Sequence, residues 1–293
     1  MKLLDKLFLE DAYGVAIRDR SKGEKIYTTK YPSIFKWYAD PFTCHTDEGD
    51  YIFVELMDYH IIYGQIAVAP IIDGKIGKFK IIISEPFHMS FPNIFKWQNV
   101  WYMIPETYQA EQIRLYRCEE FPYKWKLEKI LMSDVQIVDH ALYVEEDKII
   151  VISYDISDIT NKRSRVFEID MTKMEINEIF PEGNICKDRA GGTIYIINNQ
   201  QYRVIQDCVA CYGDFLRVYR IDKISKEFID ETEIFQIHAN DVRLDENRGI
   251  KHVHTYNFDG KYETIDFLYR KIYPNKIFLR LWQKVIRKNR KHK

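Results

Sequence analysis

Two aspartates and one histidine begin equivalent copies of a short segment that recurs along the chain: Asp40, Asp139 and His254. Carboxyl and imidazole groups are the side chains that most often transfer protons in enzymes. Burying like charges together is unfavourable unless they are partnered or used. A single aspartate at a strand start is usually a turn residue, but two in register favour a shared function. If the fold brings the copies together, these residues predict an acid–base site.

The recurring segment has a period of roughly fifty residues, and such a period of short strands is typical of a propeller or a similar array. Its copies begin near residues 40, 91, 139, 191 and 254. Each copy holds about four runs of strand-like residues, which is the content of one propeller blade. The last copy lacks a strand, which the N-terminal run Tyr13–Arg18 can supply. The sequence therefore predicts an all-β fold in which residues 1–275 form a five-bladed β-propeller closed by an N-terminal strand.

Acidic side chains also end the second strand of several copies. They are Glu55, Glu106, Asp207 and Asp266. In a propeller the first strand of each blade lines the central channel, so the second strands lie close behind it. For each of these carboxylates taken alone, a salt bridge to a nearby Arg or Lys is the expected role.

After Pro274 the pattern changes from that of strands to that of a helix. Ile277, Phe278, Leu281 and Trp282 fall on one face, and residues 276–293 contain eight Lys and Arg residues and no acid. This pattern predicts a separate C-terminal segment, a basic amphipathic helix over residues 276–293. The helix either contacts a membrane surface through residues 277–293 or packs on the propeller with its basic face in water.

Charge and hydropathy narrow the classes of partner. The formal net charge of the whole chain is −1, but without the basic tail residues 1–275 carry −9. An acidic body is a poor ligand for nucleic acid, which we exclude as a partner. The N-terminal run Met1–Leu9 does not resemble a signal peptide, and no stretch reaches the ~20 apolar residues of a spanning helix. We expect a cytoplasmic protein, peripheral at the inner membrane face if the tail binds lipid. The sequence does not predict an oligomeric state.

The five cysteines include one close pair, Cys208-x-x-Cys211. A zinc site would need a second such pair or two histidines at matching spacing, and neither is evident in the sequence. We therefore predict no metal ligands and expect buried thiols. No cofactor is assigned, and occupation of the central channel by a divalent cation stays open.

Several strings resemble motifs of a known family of propellers. The string Trp37–Phe42 resembles the first-blade motif of the five-bladed propellers of glycoside hydrolase family 43, Val138-Asp139 resembles their third-blade motif, and Val253–Gly260 resembles their fifth-blade motif. A narrower branch is more similar still: the propeller domain at the N-terminus of plant glucosamine inositolphosphorylceramide transferases and of proteins from bacterial surface-polysaccharide gene clusters. That resemblance extends over residues 12–271 and is carried by four further strings: His88–Pro92, Met103–Glu106, Arg189–Gly192 and Gln206–Cys208.

The resemblance implies roles for three residues. Asp40 would be the general base, Asp139 would orient and tune the acid, and His254 would be the channel histidine. The fourth-blade Glu that serves as general acid in family 43 is absent, because this chain has Arg189-Ala190-Gly191 there. Glu106 and Asp207 are the substitutes, and Glu106 is our third catalytic candidate. The candidates for substrate contact are Trp37, His88, Arg189, Asp207, Tyr212, His252 and His254.

The absence of the fourth-blade glutamate changes the reaction that we expect. Hydrolysis of a glycoside needs two carboxyl groups in different roles. Transfer from a sugar nucleotide needs a base for the acceptor and cations for the departing phosphate, for which the chain offers Lys187, Arg189, Arg203, His252 and His254. We therefore expect a carbohydrate-active enzyme of cell-surface polysaccharide biosynthesis that transfers a glycosyl group from an activated sugar to a glycan acceptor, with Asp40 as base. A family 43 type hydrolase with a relocated acid and a non-catalytic glycan-binding propeller are the alternatives.

Overall fold

The computed structural model describes residues 9–61, 63–158, 163–209, 211, 213–273 and 281. The predicted basic helix of residues 276–293 lies outside these residues except for Leu281. Elsewhere in the described ranges, helical structure is limited to two short 3-10 helices, Tyr108–Ala110 and Ala239–Asp241. None of the described helices has the length and apolar character needed to cross a membrane.

The described chain is otherwise built from strands that form five antiparallel sheets. In chain order they are β1 (Leu9–Asp19), β2 (Thr28–Lys30), β3 (Lys36–Thr46), β4 (Gly49–Asp58), β5 (Gly64–Ile72), β6 (Lys75–Ile76), β7 (Lys80–Ile83), β8 (Ser90–Trp97), β9 (Val100–Glu106), β10 (Gln112–Glu120), β11 (Lys124–Ser133), β12 (Ile137–Glu145), β13 (Lys148–Asp155), β14 (Arg163–Asp170), β15 (Glu175–Ile179), β16 (Tyr195–Ile197), β17 (Gln200–Asp207), β18 (Phe215–Ile224), β19 (Ile229–Ile237), β20 (Ile250–His252), β21 (Tyr256–Phe258) and β22 (Tyr262–Ile272).

Each sheet is one blade, and the predicted all-β five-bladed propeller is confirmed. The first four blades contain β3 to β7, β8 to β11, β12 to β15 and β16 to β19. The fifth blade joins both ends of the described chain, because β22 pairs with β21 and β20 on one side and with β1 on the other. The pairing of β1 with β22 runs from Leu9 opposite Ile272 to Asp19 opposite Tyr262. The N-terminal strand therefore closes the ring, as the sequence predicts, and leaves no open edge there.

Alternating apolar residues of the strands pack face to face between adjacent blades. Phe53, Phe91, Phe167 and Phe267 are completely buried in these contacts. Burial of each such side chain contributes about 1.5–3 kcal/mol relative to leaving it in water. This packing makes the frame rigid enough to hold polar side chains in the channel.

The inner strands of the first three blades share a local irregularity. Asp40, Phe91 and Asp139 have φ values of 50°, 49° and 51°, in the left-handed region that non-glycine residues seldom adopt. At each of them the strand pairing shifts register, as in a β-bulge. A bulge bends the strand and re-aims a side chain. The three positions are therefore equivalent in backbone shape as well as in sequence spacing.

The fourth blade departs from this pattern. Its inner strand β16 begins only at Tyr195, and the Arg189–Gly191 corner precedes it, held by a single bridge between Ala190 and Ile205. The fourth copy therefore presents an irregular segment to the channel where the first three copies present a bulged strand.

Candidate active site

A cavity of about 310 Å³ opens in the central channel, where residues from the described blades converge. Its lining includes Asp40, Glu106, Asp139, Arg189 and His254. Trp37 and His88 also line it. The structure thus brings together the three candidate catalytic carboxylates and four of the seven predicted substrate contacts.

Asp40 is held by neighbours on two blades. Its Oδ2 accepts the backbone N–H of Phe91 at 3.1 Å, and its Oδ1 accepts the Thr255 hydroxyl at 2.9 Å. His254 Nε2 lies 3.6 Å from the same Oδ1. Burial raises the pKa of Asp40 to about 6, and the positive charge of His254 offsets only part of the effects of burial and of the Asp266 charge. Asp40 is therefore a base poised close to neutral pH.

His254 lies between two carboxylates. Its Nδ1 is 2.6 Å from Asp266 Oδ2, on the side of the ring away from Asp40. Burial disfavours the charged ring, but the carboxylates of Asp266 and Asp40 outweigh burial and raise the pKa of His254 to about 9. Asp266, which is fully buried, also accepts the backbone N–H groups of Asp40, His254 and Thr255. The three side chains form a triad with one imidazolium between two carboxyl groups.

The same triad is where a divalent cation in the channel would bind. One ligand atom from each of Asp40, His254 and Asp266 lies within 4.8 Å of the other two. Metal binding requires a deprotonated imidazole nitrogen, however, and both ring nitrogens of His254 face carboxylates that favour its protonated form. These residues therefore fit an ion triad better than a metal site.

A second triad in the cavity lining consists of Glu106, Asp139 and Arg189. Glu106 Oε2 accepts the backbone N–H of Asp139 at 3.1 Å, and Arg189 Nε donates to Asp139 Oδ2. Burial and the nearby charge of Asp139 raise the pKa of Glu106 well above its usual range, and Arg189 offsets only part of this. Glu106 therefore holds its proton more tightly than an ordinary glutamate does, which suits a proton donor.

Glu55 and His88 form a pair in the cavity wall. His88 Nε2 lies 3.4 Å from Glu55 Oε1, and His88 Nδ1 accepts the backbone N–H of Gly64 at 2.9 Å. Burial raises the pKa of Glu55 well above its usual range, and burial lowers the pKa of His88 to about 4. Burial thus disfavours the charged form of both side chains, which leaves them as hydrogen-bonding groups of the wall.

Salt bridges to Arg or Lys do not explain most of the second-strand carboxylates. Among the described residues, Glu55 meets His88 and Asp266 meets His254, while Glu106 bonds to the Asp139 backbone. The expectation is wrong for these three because Glu55 and Glu106 line the cavity and Asp266 is fully buried, where they meet histidine or backbone N–H groups. It is confirmed only for Asp207, whose Oδ2 lies 3.4 Å from Arg217 Nε.

Two of the remaining predicted contacts, Asp207 and His252, bind other side chains. Asp207 pairs with Arg217, and His252 Nδ1 lies 3.1 Å from Asp214 Oδ1. Neither Asp207 nor His252 lines the cavity. Tyr212 lies outside the described residues.

The cations expected to neutralise a phosphate are mostly engaged elsewhere. Arg203 is 1% exposed and bonds Glu231 at 2.9 Å. Lys187 borders a separate cavity between the third and fourth blades. Of the five cations proposed from the sequence, only Arg189 and His254 reach the channel, and each is bonded to a carboxylate.

Sequence reasoning missed two aromatic groups of the cavity lining, Tyr13 and Tyr108. Tyr13 of the closing strand lies with its ring centroid 4.7 Å from that of His254 and 5.7 Å from that of Trp37. Both rings line the cavity, and aromatic faces of this kind can stack on sugar rings. The only available signal was the position of Tyr13 in the strand that completes the fifth blade.

The family model described as "Glucosamine inositolphosphorylceramide transferase 1, N-terminal" matches residues 23–258. Curated relatives with the name glucosamine inositolphosphorylceramide transferase 1 are 30% identical in Oryza sativa subsp. indica over 214 residues and in Arabidopsis thaliana over 234 residues. These matches cover 70% and 76% of this chain but only 28% and 30% of the relatives. The chain thus corresponds to less than a third of their length.

Two solved structures illustrate the shared fold. The catalytic domain of a GH62 α-L-arabinofuranosidase from Coprinopsis cinerea is 12% identical with a TM-score of 0.55, and the match covers 78% of this chain and 90% of that one. A GH43_1 enzyme from Xanthomonas citri, solved with xylose, is 10% identical with a TM-score of 0.53, covering 80% and 87%. At these identities the likeness concerns the propeller fold alone.

Proposed function

The chain belongs to the family defined by the N-terminal domain of glucosamine inositolphosphorylceramide transferase 1, and from that premise we propose that its channel is the active site of a carbohydrate-active enzyme. The enzyme acts at the anomeric carbon of a sugar by acid–base catalysis. The observation that carries the proposal is one cavity holding two buried carboxyl groups in different surroundings, Asp40 beside His254 and Glu106 beside Asp139, each with a raised pKa. Such a pair is how one site holds a base and an acid at the same pH.

Asp40 is the base in this proposal. Above about pH 6 its carboxylate takes the proton of an incoming hydroxyl group as the oxygen attacks the anomeric carbon. Glu106 gives its proton to the oxygen of the leaving group as the old glycosidic bond breaks. The second blade thereby supplies the acid that the fourth-blade Arg189–Gly191 corner lacks.

Transfer to a glycan acceptor during cell-surface polysaccharide assembly is the reaction we propose. Its support is the transferase name of the curated relatives. Four carboxyl groups and two already paired cations line the cavity, which disfavours a free diphosphate and favours a neutral glycosyl donor. The aromatic rings of Tyr13 and Trp37 can stack on the face of a sugar ring, and the polar side chains beside them can bond its hydroxyl groups.

Hydrolysis is the second candidate, and the position of Glu106 in the same cavity as Asp40 supports it as well as it supports transfer from a neutral donor. A donor with a poor leaving group needs an acid, and transfer from an activated sugar does not. In hydrolysis water replaces the acceptor hydroxyl at Asp40, and the two reactions otherwise use the same groups.

The test uses the full chain with aryl glycosides, oligosaccharides and sugar nucleotides, and measures transfer products and released sugar separately. Asp40→Asn should lower turnover by about 10²–10⁴-fold on every active donor. Glu106→Gln should do the same for oligosaccharides but spare aryl glycosides, whose leaving group needs little protonation. Asp155→Asn is the matched control, because Asp155 is equally buried at the end of β13 but does not line the cavity. Binding without turnover of any donor, or full turnover in Asp40→Asn, would contradict the proposal.

A further inference from the structure

The loop between β17 and β18 brings a thiol beside residues from the fifth blade. Cys211 lies in this loop, Asp214 follows it, and His252 ends β20 about forty residues later in the sequence. One ligand atom from each of the three lies within 4.8 Å of the other two. In the folded chain Cys211 therefore lies beside His252, a residue that is remote in the sequence.

The distances between these groups suit a small cation. His252 Nδ1 lies 3.9 Å from Cys211 Sγ and 3.1 Å from Asp214 Oδ1. Around a tetrahedral zinc ion, with bonds of about 2.0–2.3 Å, neighbouring ligand atoms lie roughly 3.3–3.6 Å apart. One of these separations is slightly longer and the other slightly shorter than that range, and the Cys211 and Asp214 ligand atoms lie within 4.8 Å of each other, so small side-chain movements would bring the three groups around one ion.

The chemistry of the three donors narrows the ion. A thiolate and an imidazole favour zinc over magnesium or calcium, which prefer oxygen ligands. The carboxylate and the thiolate together balance a divalent charge. Three protein ligands with Cys211 on the exposed side leave a fourth position to water, as in zinc sites that are not closed by the protein.

The loop is held in place by close packing on the fifth blade. Gly213 has a φ of 60°, and a Cβ at this position would lie 2.5 Å from the Cβ of His254. Only glycine allows this approach, which places Asp214 beside His252. The backbone N–H of Gly213 also points at Cys208 Sγ, 3.5 Å away. The donor groups are therefore positioned by the backbone of two adjacent blades.

We propose that Cys211, Asp214 and His252 form a zinc site that fastens the loop between β17 and β18 to the fifth blade. The ion ties residues 211–214 to the segment that leads from His252 to the channel residue His254. It stands outside the acid–base cavity, and it stabilises the folded chain by binding only the native arrangement.

The experiment measures metal content of the untagged full chain by mass spectrometry after dialysis, and the spectrum of the cobalt-substituted protein. We expect about one zinc per chain and a thiolate-to-cobalt charge-transfer band. Cys211→Ala and His252→Ala should each weaken zinc binding by more than the ~10–100-fold that loss of an outer-shell partner costs. Cys186→Ala, which removes another half-buried thiol outside the cluster, should leave zinc content and spectrum unchanged.

Unfolding curves separate loss of the site from loss of the fold. Added zinc should raise the unfolding midpoint of the wild type and of Cys186→Ala, and should not raise that of Cys211→Ala. Wild-type protein without bound zinc or a thiolate band, or folded Cys211→Ala and His252→Ala variants with wild-type zinc affinity, would overturn the proposal and leave Asp214 and His252 as a simple ion pair.

Discussion

Each of two sides of the channel contains two carboxyl groups and one cation, but the cation pairs with a different carboxyl group on each side. On the side of the fifth and first blades, Asp266 of a second strand accepts the backbone N–H of the head residue Asp40. On the side of the second and third blades, Glu106 of a second strand accepts the backbone N–H of the head residue Asp139 in the same manner. The same arrangement of a head carboxyl group and a second-strand carboxyl group therefore occurs twice around the channel.

The cation decides how each pair divides its roles. His254 bonds the second-strand carboxylate Asp266, which leaves the head carboxylate Asp40 as the one with a pKa near 6. Arg189 bonds the head carboxylate Asp139, which leaves the buried second-strand carboxyl Glu106 as the one with a raised pKa. The carboxyl group that each cation bonds, and not the strand position, therefore decides that Asp40 is the base of one pair and Glu106 the acid of the other.

The largest effect is expected at Asp266. Asp266→Asn removes the charge that partners a buried His254 and weakens three backbone hydrogen bonds. Breaking a buried pair by removing one charge costs about 3–5 kcal/mol of unfolding free energy, measured by chemical denaturation at neutral pH. Asp170→Asn at the surface should change it by less than about 0.5 kcal/mol. A loss below about 1 kcal/mol in Asp266→Asn would show that His254 does not depend on this partner.

An intermediate effect is expected at Arg189. Arg189→Gln leaves Asp139 without its cation, but the arginine side chain is 24% exposed and water compensates part of the loss. The unfolding free energy should fall by about 1–2 kcal/mol. Since removal of a positive charge raises the pKa of neighbouring carboxyl groups, the alkaline limb of the pH–activity profile should move to higher pH. A shift of that limb to lower pH would mean that Glu106 is not the acid.

An effect of similar size but opposite sign, a gain in stability confined to neutral pH, is expected at Asp40. Its pKa is about 6 in the folded chain, above the ordinary value of about 3.9 in the unfolded chain, so ionisation opposes folding. The penalty is absent below about pH 4, grows as the pH rises to 6, and is fully present at pH 7. Asp40→Asn should therefore raise the unfolding free energy at pH 7 by about 1–2 kcal/mol and leave it nearly unchanged at pH 4. Equal destabilisation at both pH values would show that Asp40 is structural.

The sequence predicted the frame and the head residues because both follow from a fixed spacing. Copies about fifty residues apart place Asp40, Asp139 and His254 at equivalent positions once the ring closes, whatever the details of packing. The N-terminal strand was predictable for the same reason, since the fifth copy was one strand short.

The partners were not predictable from spacing. Whether a cation meets Asp139 or Glu106 depends on the direction of side chains from different blades. The contact of Tyr13 with His254 arises within the fifth blade, between its N-terminal and C-terminal segments, and that of Cys211 with His252 arises where the fourth blade meets the fifth. Local motifs carry no record of such contacts.

The central claim is that Asp40 is ionised and Glu106 is protonated in the same cavity at neutral pH. Infrared difference spectra at pH 7 test it directly, because protonated and ionised carboxyl groups absorb in separate regions. The wild-type spectrum minus that of Glu106→Gln should contain the band of a protonated carboxyl group, and the wild-type spectrum minus that of Asp40→Asn should contain only carboxylate bands. A carboxylate band lost in Glu106→Gln, with no protonated band, would contradict the account.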